Sequence, residues 1–137
     1  MIQYDYTFRV GYTDTDQMGS MHHVNYVKYC ELARWELLRS IGVPYKSIED
    51  DGVMCPVVSM QFKFYKPVSY DSLIIVKTTL KSVKGVRMNF EYDFLNENGE
   101  VIDHAETELA FVRKTDWKPC PPPVLLLQAI ENFQRKD

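Results

Sequence analysis

The chain has 137 residues, 45% of them hydrophobic and 26% charged, which fits one ordinary globular domain over 1–137 with a single core. A net charge of −3 argues against a nucleic-acid binder that works by bulk electrostatics. Cys30, Cys55 and Cys120 are odd in number and lack C-x-x-C spacing, which argues against a disulfide framework or a zinc knuckle. No apolar run reaches the ~18 residues of a membrane span. Residues 1–5 lack the charged and apolar regions of a signal peptide, so a cytoplasmic location is expected.

Residues 4–12 alternate, with Tyr4, Tyr6, Phe8, Val10 and Tyr12 on one side and Asp5, Thr7, Arg9 and Gly11 on the other. That pattern predicts a half-buried strand. Residues 13–22 are polar or small and read as a loop. Residues 24–41 contain no Gly or Pro and read as a helix, stopped by Gly42 and Pro44. Val27, Cys30, Arg34, Leu37, Leu38 and Ile41 fall roughly on one stripe, with Arg34 as the exception. Tyr26, Tyr29, Leu32 and Ala33 widen the apolar surface, so the helix is expected to be enclosed on several sides. Pro44 to Asp51 suggests a short second helix.

The remainder is mainly strand. Val58, Met60, Phe62 and Phe64 alternate up to Pro67, residues 72–82 are β-branched and apolar, and Met88, Phe90, Tyr92 and Phe94 alternate in turn. Asn98-Gly99 marks a hairpin, and residues 101–113 read as the last strand. A Pro-rich break at Pro119, Pro121, Pro122 and Pro123 precedes a short amphipathic helix at about 124–134. One strand, a long helix and then four strands give an α+β domain, an antiparallel sheet with helices on one side. Such a sheet leaves an open edge, which a second copy would cover.

The chemistry concentrates in Asp14-Thr15-Asp16-Gln17-Met18-Gly19-Ser20-Met21-His22-His23-Val24-Asn25-Tyr26. A carboxylate, a glycine and a histidine stand just ahead of the long helix. Helix N-termini carry unpaired N–H groups and a partial positive charge, so a carbonyl oxygen bound there would face a nearby carboxylate. Taken by type alone, Asp14 and Asp16 are also ordinary loop-forming aspartates, and Asp14 is read that way. His22 and His23 have no third ligand nearby, so no metal site is expected. His104 carries no functional claim. Neither Ser20 nor Ser59 sits in a nucleophile-elbow motif, and no phosphate-binding glycine fingerprint occurs. Glu31 and Arg34, three apart on the helix, are expected to pair or to steady the Asp16 loop.

The pattern Tyr12-x-Asp14-Thr15-Asp16-x-x-Gly19-x-x-x-His23-x-x-Tyr26-x-x-x-x-Glu31-x-x-Arg34 resembles the signature of hotdog-fold acyl-CoA thioesterases, closest to the 4-hydroxybenzoyl-CoA thioesterase type. The resemblance implies a sheet wrapped around a long central helix. It implies that Asp16 is the catalytic carboxylate, as nucleophile or general base, and that the backbone amide of His23 binds the thioester carbonyl. It implies substrate contacts from Gly19 and Tyr26 and, for the phosphates of coenzyme A, from Lys84, Gly85 and Arg87 in the basic stretch 81–87. Lys63 and Lys66 are weaker candidates. Met18 and His22 depart from the family pattern and bear on the shape of the acyl pocket. The implied activity is hydrolysis of acyl-CoA to free acid and coenzyme A, without cofactor, in a homodimer or homotetramer whose active sites form at the dimer interface. Two alternatives are a thioesterase acting on acyl carrier protein and a non-catalytic acyl-thioester binding protein. Acyl preference is not legible.

Overall fold

The computed structural model describes residues 2–135. In chain order its elements are β1 (Ile2–Arg9), α1 (His23–Ser40), α2 (Tyr45–Asp50), β2 (Val53–Met54), β3 (Val57–Phe64), β4 (Leu73–Lys84), β5 (Arg87–Leu95), β6 (Val101–Ala110), β7 (Val112–Arg113) and α3 (Val124–Arg135). A single 3-10 turn, Tyr12–Asp14, lies between β1 and α1. Five strands form one antiparallel sheet in the order β1-β4-β5-β6-β3. The long helix α1 packs on its inner face, which is the hotdog arrangement.

The register explains that packing. On β5 the residues Met88, Phe90, Tyr92 and Phe94 face inward, opposite Leu109, Thr107, Ala105 and Asp103 of β6. Ile74, Val76, Thr78 and Leu80 continue the same layer on β4. Period-two alternation thus builds a continuous inner surface. From α1 it receives Tyr26, Tyr29, Cys30, Ala33, Arg34, Leu37 and Leu38, all buried. The helix ends in a paired cap, the Gly42 amide on the Arg39 carbonyl and the Val43 amide on the Leu38 carbonyl, both at 3.0 Å. Gly42 takes φ +88° there, a conformation that favours glycine.

Several boundaries differ from the sequence expectation. The first strand stops at Arg9, and Tyr12 is 76% exposed, because Val10 and Gly11 already turn the chain into the loop. The last strand breaks at Phe111, and Val112–Arg113 leaves the main sheet to pair with Val53–Met54, a pairing not expected from sequence. Val27 is 38% exposed rather than part of the buried stripe. The helix is therefore covered on one broad face, and its Val24, Val27 and Lys28 side stays open.

Candidate active site

The loop before α1 is fixed by Asp14. Its carboxylate accepts hydrogen bonds from the Gly11 amide at 3.0 Å, Lys28 Nζ at 2.8 Å and the Tyr29 hydroxyl at 2.6 Å. Its carbonyl accepts from the His22 amide at 2.8 Å and from Asn25 Nδ2 at 2.7 Å. Burial alone would raise its pKa, but the bonds from Lys28, Tyr29 and Gly11 outweigh that and lower it. Burial, together with the Asp14 carboxylate, pushes the Tyr29 hydroxyl up. Asp14 is thus the ionised anchor that ties the loop to the first two turns of α1.

Asp16 stands two residues on, in a tight turn. Its amide donates to the Ser20 carbonyl at 2.9 Å, and its carbonyl accepts from the Gly19 amide at 3.0 Å. Oδ1 accepts from the Met18 amide at 2.9 Å and the Ser20 amide at 3.3 Å. These bonds orient the carboxylate and occupy one oxygen. Among the described residues Oδ2 has no hydrogen-bond partner. Gly19 has φ +79° with open space where a side chain would begin, so backbone conformation rather than crowding selects glycine there.

The start of α1 supplies the complementary group. His22 caps the helix, its Nδ1 accepting from the Val24 amide at 3.2 Å, and its carbonyl accepts from the Asn25 amide at 3.0 Å. The His23 amide is left with no acceptor among the described residues, as expected for the first helical N–H. The His23 ring stacks on Phe64, centroids 4.3 Å apart. Asp16, Ser20, His23, Tyr26, Phe64 and Lys66 line one cleft of about 220 Å³. Asp16 and His23, the first residue of α1, therefore line one concave space, and a carboxylate beside a helix N-terminus is a pair that can attack a carbonyl and hold its oxygen.

The remaining sequence candidates lie elsewhere in the chain. Gly19 lines a second, adjoining depression with Tyr12, Thr15, Tyr70 and Asp16, the last of which borders the cleft as well. Lys84, Gly85 and Arg87 form the β4–β5 turn. The pairs Arg87–Ala110 and Phe94–Asp103 mark opposite ends of the β5–β6 ladder, and Phe64 pairs with Asp103. The basic turn is thus at the end of the sheet away from the cleft of its own chain. Arg87 lies 3.7 Å from Glu108. Lys66 instead stands in the cleft wall, with its ammonium paired to Glu100.

Glu31 and Arg34 do not pair. Arg34 is buried and points through the core toward the Tyr92 hydroxyl at 3.5 Å, which in turn bonds Thr107 Oγ1 at 2.7 Å. The apolar neighbours of the helix stripe draw the long Arg34 stem inward. His104 lies on the outer face of the sheet. Its Nδ1 is 2.7 Å from Asp93, and its Nε2 is 3.4 Å from Glu91 and 3.9 Å from Glu106. These carboxylates, the Asp93 bond foremost, raise its pKa. Glu91, His104 and Glu106 are the grouping best arranged for a cation among the described residues, but Lys81 already pairs with Glu91 at 3.2 Å.

One residue near the cleft escaped the sequence reading. Asp103 is wholly buried, and neither of its carboxylate oxygens has a hydrogen-bond partner. Burial pushes its carboxyl up to about 7, with the His104 charge pulling weakly the other way. The available signal was its phase, since Asp103 falls on the same side of the last strand as Ala105, Thr107 and Leu109.

Comparison with known proteins bears on this geometry. Residues 10–130 match the family model of the thioesterase-like superfamily. The Bacillus subtilis protein YneP is 33% identical over 110 residues, covering 80% of each chain. The acyl-CoA thioester hydrolase YbgC of Escherichia coli is 29% identical over 111 residues, covering 81% of this chain and 83% of its own. The crystal structure of the DHNA-CoA thioesterase from Staphylococcus aureus superposes with a TM-score of 0.91 at 27% identity, covering 98% of this chain and 93% of that one. No described helix is long and apolar enough to cross a membrane. The match over most of its length, the shared hotdog fold and these relatives together show that the chain belongs to the thioesterase-like superfamily and is a thioester hydrolase.

Proposed function

We propose that the protein hydrolyses acyl-CoA thioesters to free acid and coenzyme A, with Asp16 as the reacting carboxylate and the His23 amide as the group that polarises the carbonyl. The observation that carries this reading is the shared cleft. Asp16, whose Oδ2 has no partner among the described residues, and His23, whose amide has no acceptor among them, both line that cleft, which supports the pairing. A thioester is already activated, so orientation and one or two charge-stabilising donors suffice. In the attack route, the Asp16 carboxylate adds to the carbonyl carbon and expels the coenzyme A thiolate, and water then hydrolyses the anhydride. In the base route, Asp16 takes a proton from water as that water adds to the carbonyl, and the adduct collapses to expel the coenzyme A thiolate, which takes up the proton. The bonds from Met18 and Ser20 to Oδ1 hold the carboxylate in place for either route.

The Escherichia coli relative acts on acyl-CoA and the Staphylococcus aureus relative on DHNA-CoA. Coenzyme A is therefore the proposed carrier, and an aryl acyl group of the 4-hydroxybenzoyl-CoA type is a proposed substrate. The working unit is proposed to be a homodimer, or a pair of dimers. β3 is an edge strand, and its inward residues Met60, Phe62 and Phe64 stay partly exposed where α1 does not reach. A second copy paired along this edge in antiparallel fashion brings its own basic turn, with Lys84, Gly85 and Arg87, toward the open end of this cleft. Gly19 would let the substrate pass close to the loop backbone.

Release of coenzyme A thiol across short, long and aryl acyl-CoAs, beside the same acyl groups on acyl carrier protein, tests the reading. Acyl-CoA turnover above background, falling on dilution below the dimer dissociation range, is expected. Tight acyl-CoA binding with no thiol release in the whole panel would leave only a binding protein. Single turnover in oxygen-18 water separates the two routes, because label appears in the Asp16 carboxylate only after direct attack.

A further inference from the structure

Asp103 has no task in the chemistry above, and its setting is costly. It stands on the inner face of β6, opposite Phe64 on β3 and Phe94 on β5. The Tyr26 ring lies across this row, its centroid 5.2 Å from Phe64 and 5.1 Å from Phe94. Tyr26 and Phe64 also wall the cleft that holds Asp16 and His23. Two rings therefore separate the cleft from a buried carboxyl with both oxygens unpartnered. Its charge helps to push the Tyr26 hydroxyl up to about 12, after burial itself, and bears on Cys30 one turn further along the helix. Elsewhere on this inner layer the polar groups are satisfied, as where Thr107 bonds Tyr92 at 2.7 Å. A buried acceptor without a donor carries an uncompensated desolvation penalty that an aliphatic residue in its place would not. The buried cation of this core, Arg34, turns toward Tyr92 instead, two helical turns beyond Tyr26.

We propose that Asp103 is a specificity residue at the far end of the acyl pocket, accepting a hydrogen bond from a hydroxyl carried by the acyl group. The proposal rests on the reading of Asp16 and His23 as the thioester site. With the carbonyl on the His23 amide, the level of Tyr26 is about one helical turn away, about 5 Å along the axis. A hydroxyl some four or five atoms beyond the carbonyl carbon reaches that depth. Phe64 and Phe94 form apolar walls on the way. Phe64, paired with Asp103 and lining the cleft, is the ring that must turn aside to admit the group. The hydroxyl supplies the donor that the protein withholds. An acyl group without one leaves the carboxyl orphaned, and sites built to bind a hydroxyl discriminate strongly against its absence.

Two substrate pairs test this on the full chain, 4-hydroxybenzoyl-CoA against benzoyl-CoA and 5-hydroxypentanoyl-CoA against pentanoyl-CoA. The wild type is expected to favour the hydroxylated member of at least one pair in kcat/KM by about tenfold or more, and the pair that shows it tells ring from chain. Asp103→Leu is expected to bring that ratio to within about twofold of unity, while Asp103→Asn, which keeps a carbonyl acceptor, retains part of it. Equal ratios in the wild type, or a preference that survives in Asp103→Leu, would overturn the proposal. If the leucine variant fails to melt cooperatively, Asp103→Asn decides, and an unchanged ratio there overturns it equally. Hydrolysis that depends on Asp16 but ignores the hydroxyl removes only Asp103 from the account. No hydrolysis of any of the four removes the thioester site as well.

Discussion

Asp14 and Asp103 are both buried carboxylates, one in the loop before α1 and one on the inner face of β6, and their surroundings shift them in opposite directions. The loop surrounds Asp14 with an amide, an ammonium and a phenol, so its negative charge is held and its pKa lowered. The sheet surrounds Asp103 with rings and leaves both oxygens bare, and its carboxyl rises to about 7. By number of donors Asp16 stands between the two, with one oxygen held by two amides and the other without a partner among the described residues. The saturated carboxylate builds structure, the half-saturated one is the proposed reacting group, and the unsaturated one is the proposed acceptor for the acyl hydroxyl. Burial alone does not assign a role to an acid in this protein, whereas the number of donors facing it does.

Breaking the saturated site should have the largest effect on folding. Asp14→Ala strands the Gly11 amide and the Tyr29 hydroxyl, and chemical denaturation is expected to show a loss of about 2–4 kcal/mol at pH 7. The lowered folded pKa of Asp14 also fixes a sign. Its stabilisation is present above the unfolded carboxyl value of about 3.9 and is lost as pH falls through the lower folded value. The wild-type advantage over the alanine variant is therefore expected to narrow as pH falls from 7 to below the carboxyl range; an alanine variant as stable as wild type at pH 7 would contradict the anchor.

Relieving the unsaturated site should act in the other direction. Asp103 has a folded pKa above its unfolded one, so its stabilisation is complete below about pH 3.9 and is lost as pH rises through about 7. Asp103→Asn does not titrate, and its stability relative to wild type is expected to grow by roughly 2–4 kcal/mol between pH 4 and pH 8. Thermal melts at both pH values measure this, and a pH-independent difference would refute the ionisation. The smallest effect belongs to the outer face. The raised pKa of His104 gives stability that is full below the unfolded value of about 6.5 and lost as pH rises through the higher folded value. His104→Gln is expected to cost only a few tenths of a kcal/mol at pH 6 and nothing at pH 9, and a larger cost would mean that the outer face is buried in an assembly.

Element order and the site loop were legible in the sequence, for a physical reason. Alternation along residues 87–94 and the Gly- and Pro-free run before Gly42 are local signals, and β5 and α1 follow them. The break at Phe111 was not legible, since Val112 continues the apolar alternation and leaves the main sheet only because Val53–Met54 offers another partner. Arg34 fitted the buried stripe by spacing and disagreed by type, and spacing prevailed, because its stem follows the stripe while its guanidinium finds Tyr92. The two aspartates of the loop could not be told apart by residue type. Their difference lies in the side chains of Lys28 and Tyr29, which reach Asp14 across the fold. Asp103 is a tertiary fact of the same kind, since the lack of a donor around it appears only when three strands and a helix are assembled.

The proposed reaction needs Asp16 as the reacting carboxylate beside the start of α1, and the most direct test is acyl-CoA turnover by Asp16→Asn with fold and acyl-CoA binding measured alongside. The amide keeps an acceptor for the Met18 and Ser20 bonds but removes the reacting carboxylate. Unchanged melting and binding with a fall in kcat of about 10²–10⁴ is predicted. A variant that binds acyl-CoA and releases thiol at the wild-type rate would contradict the account.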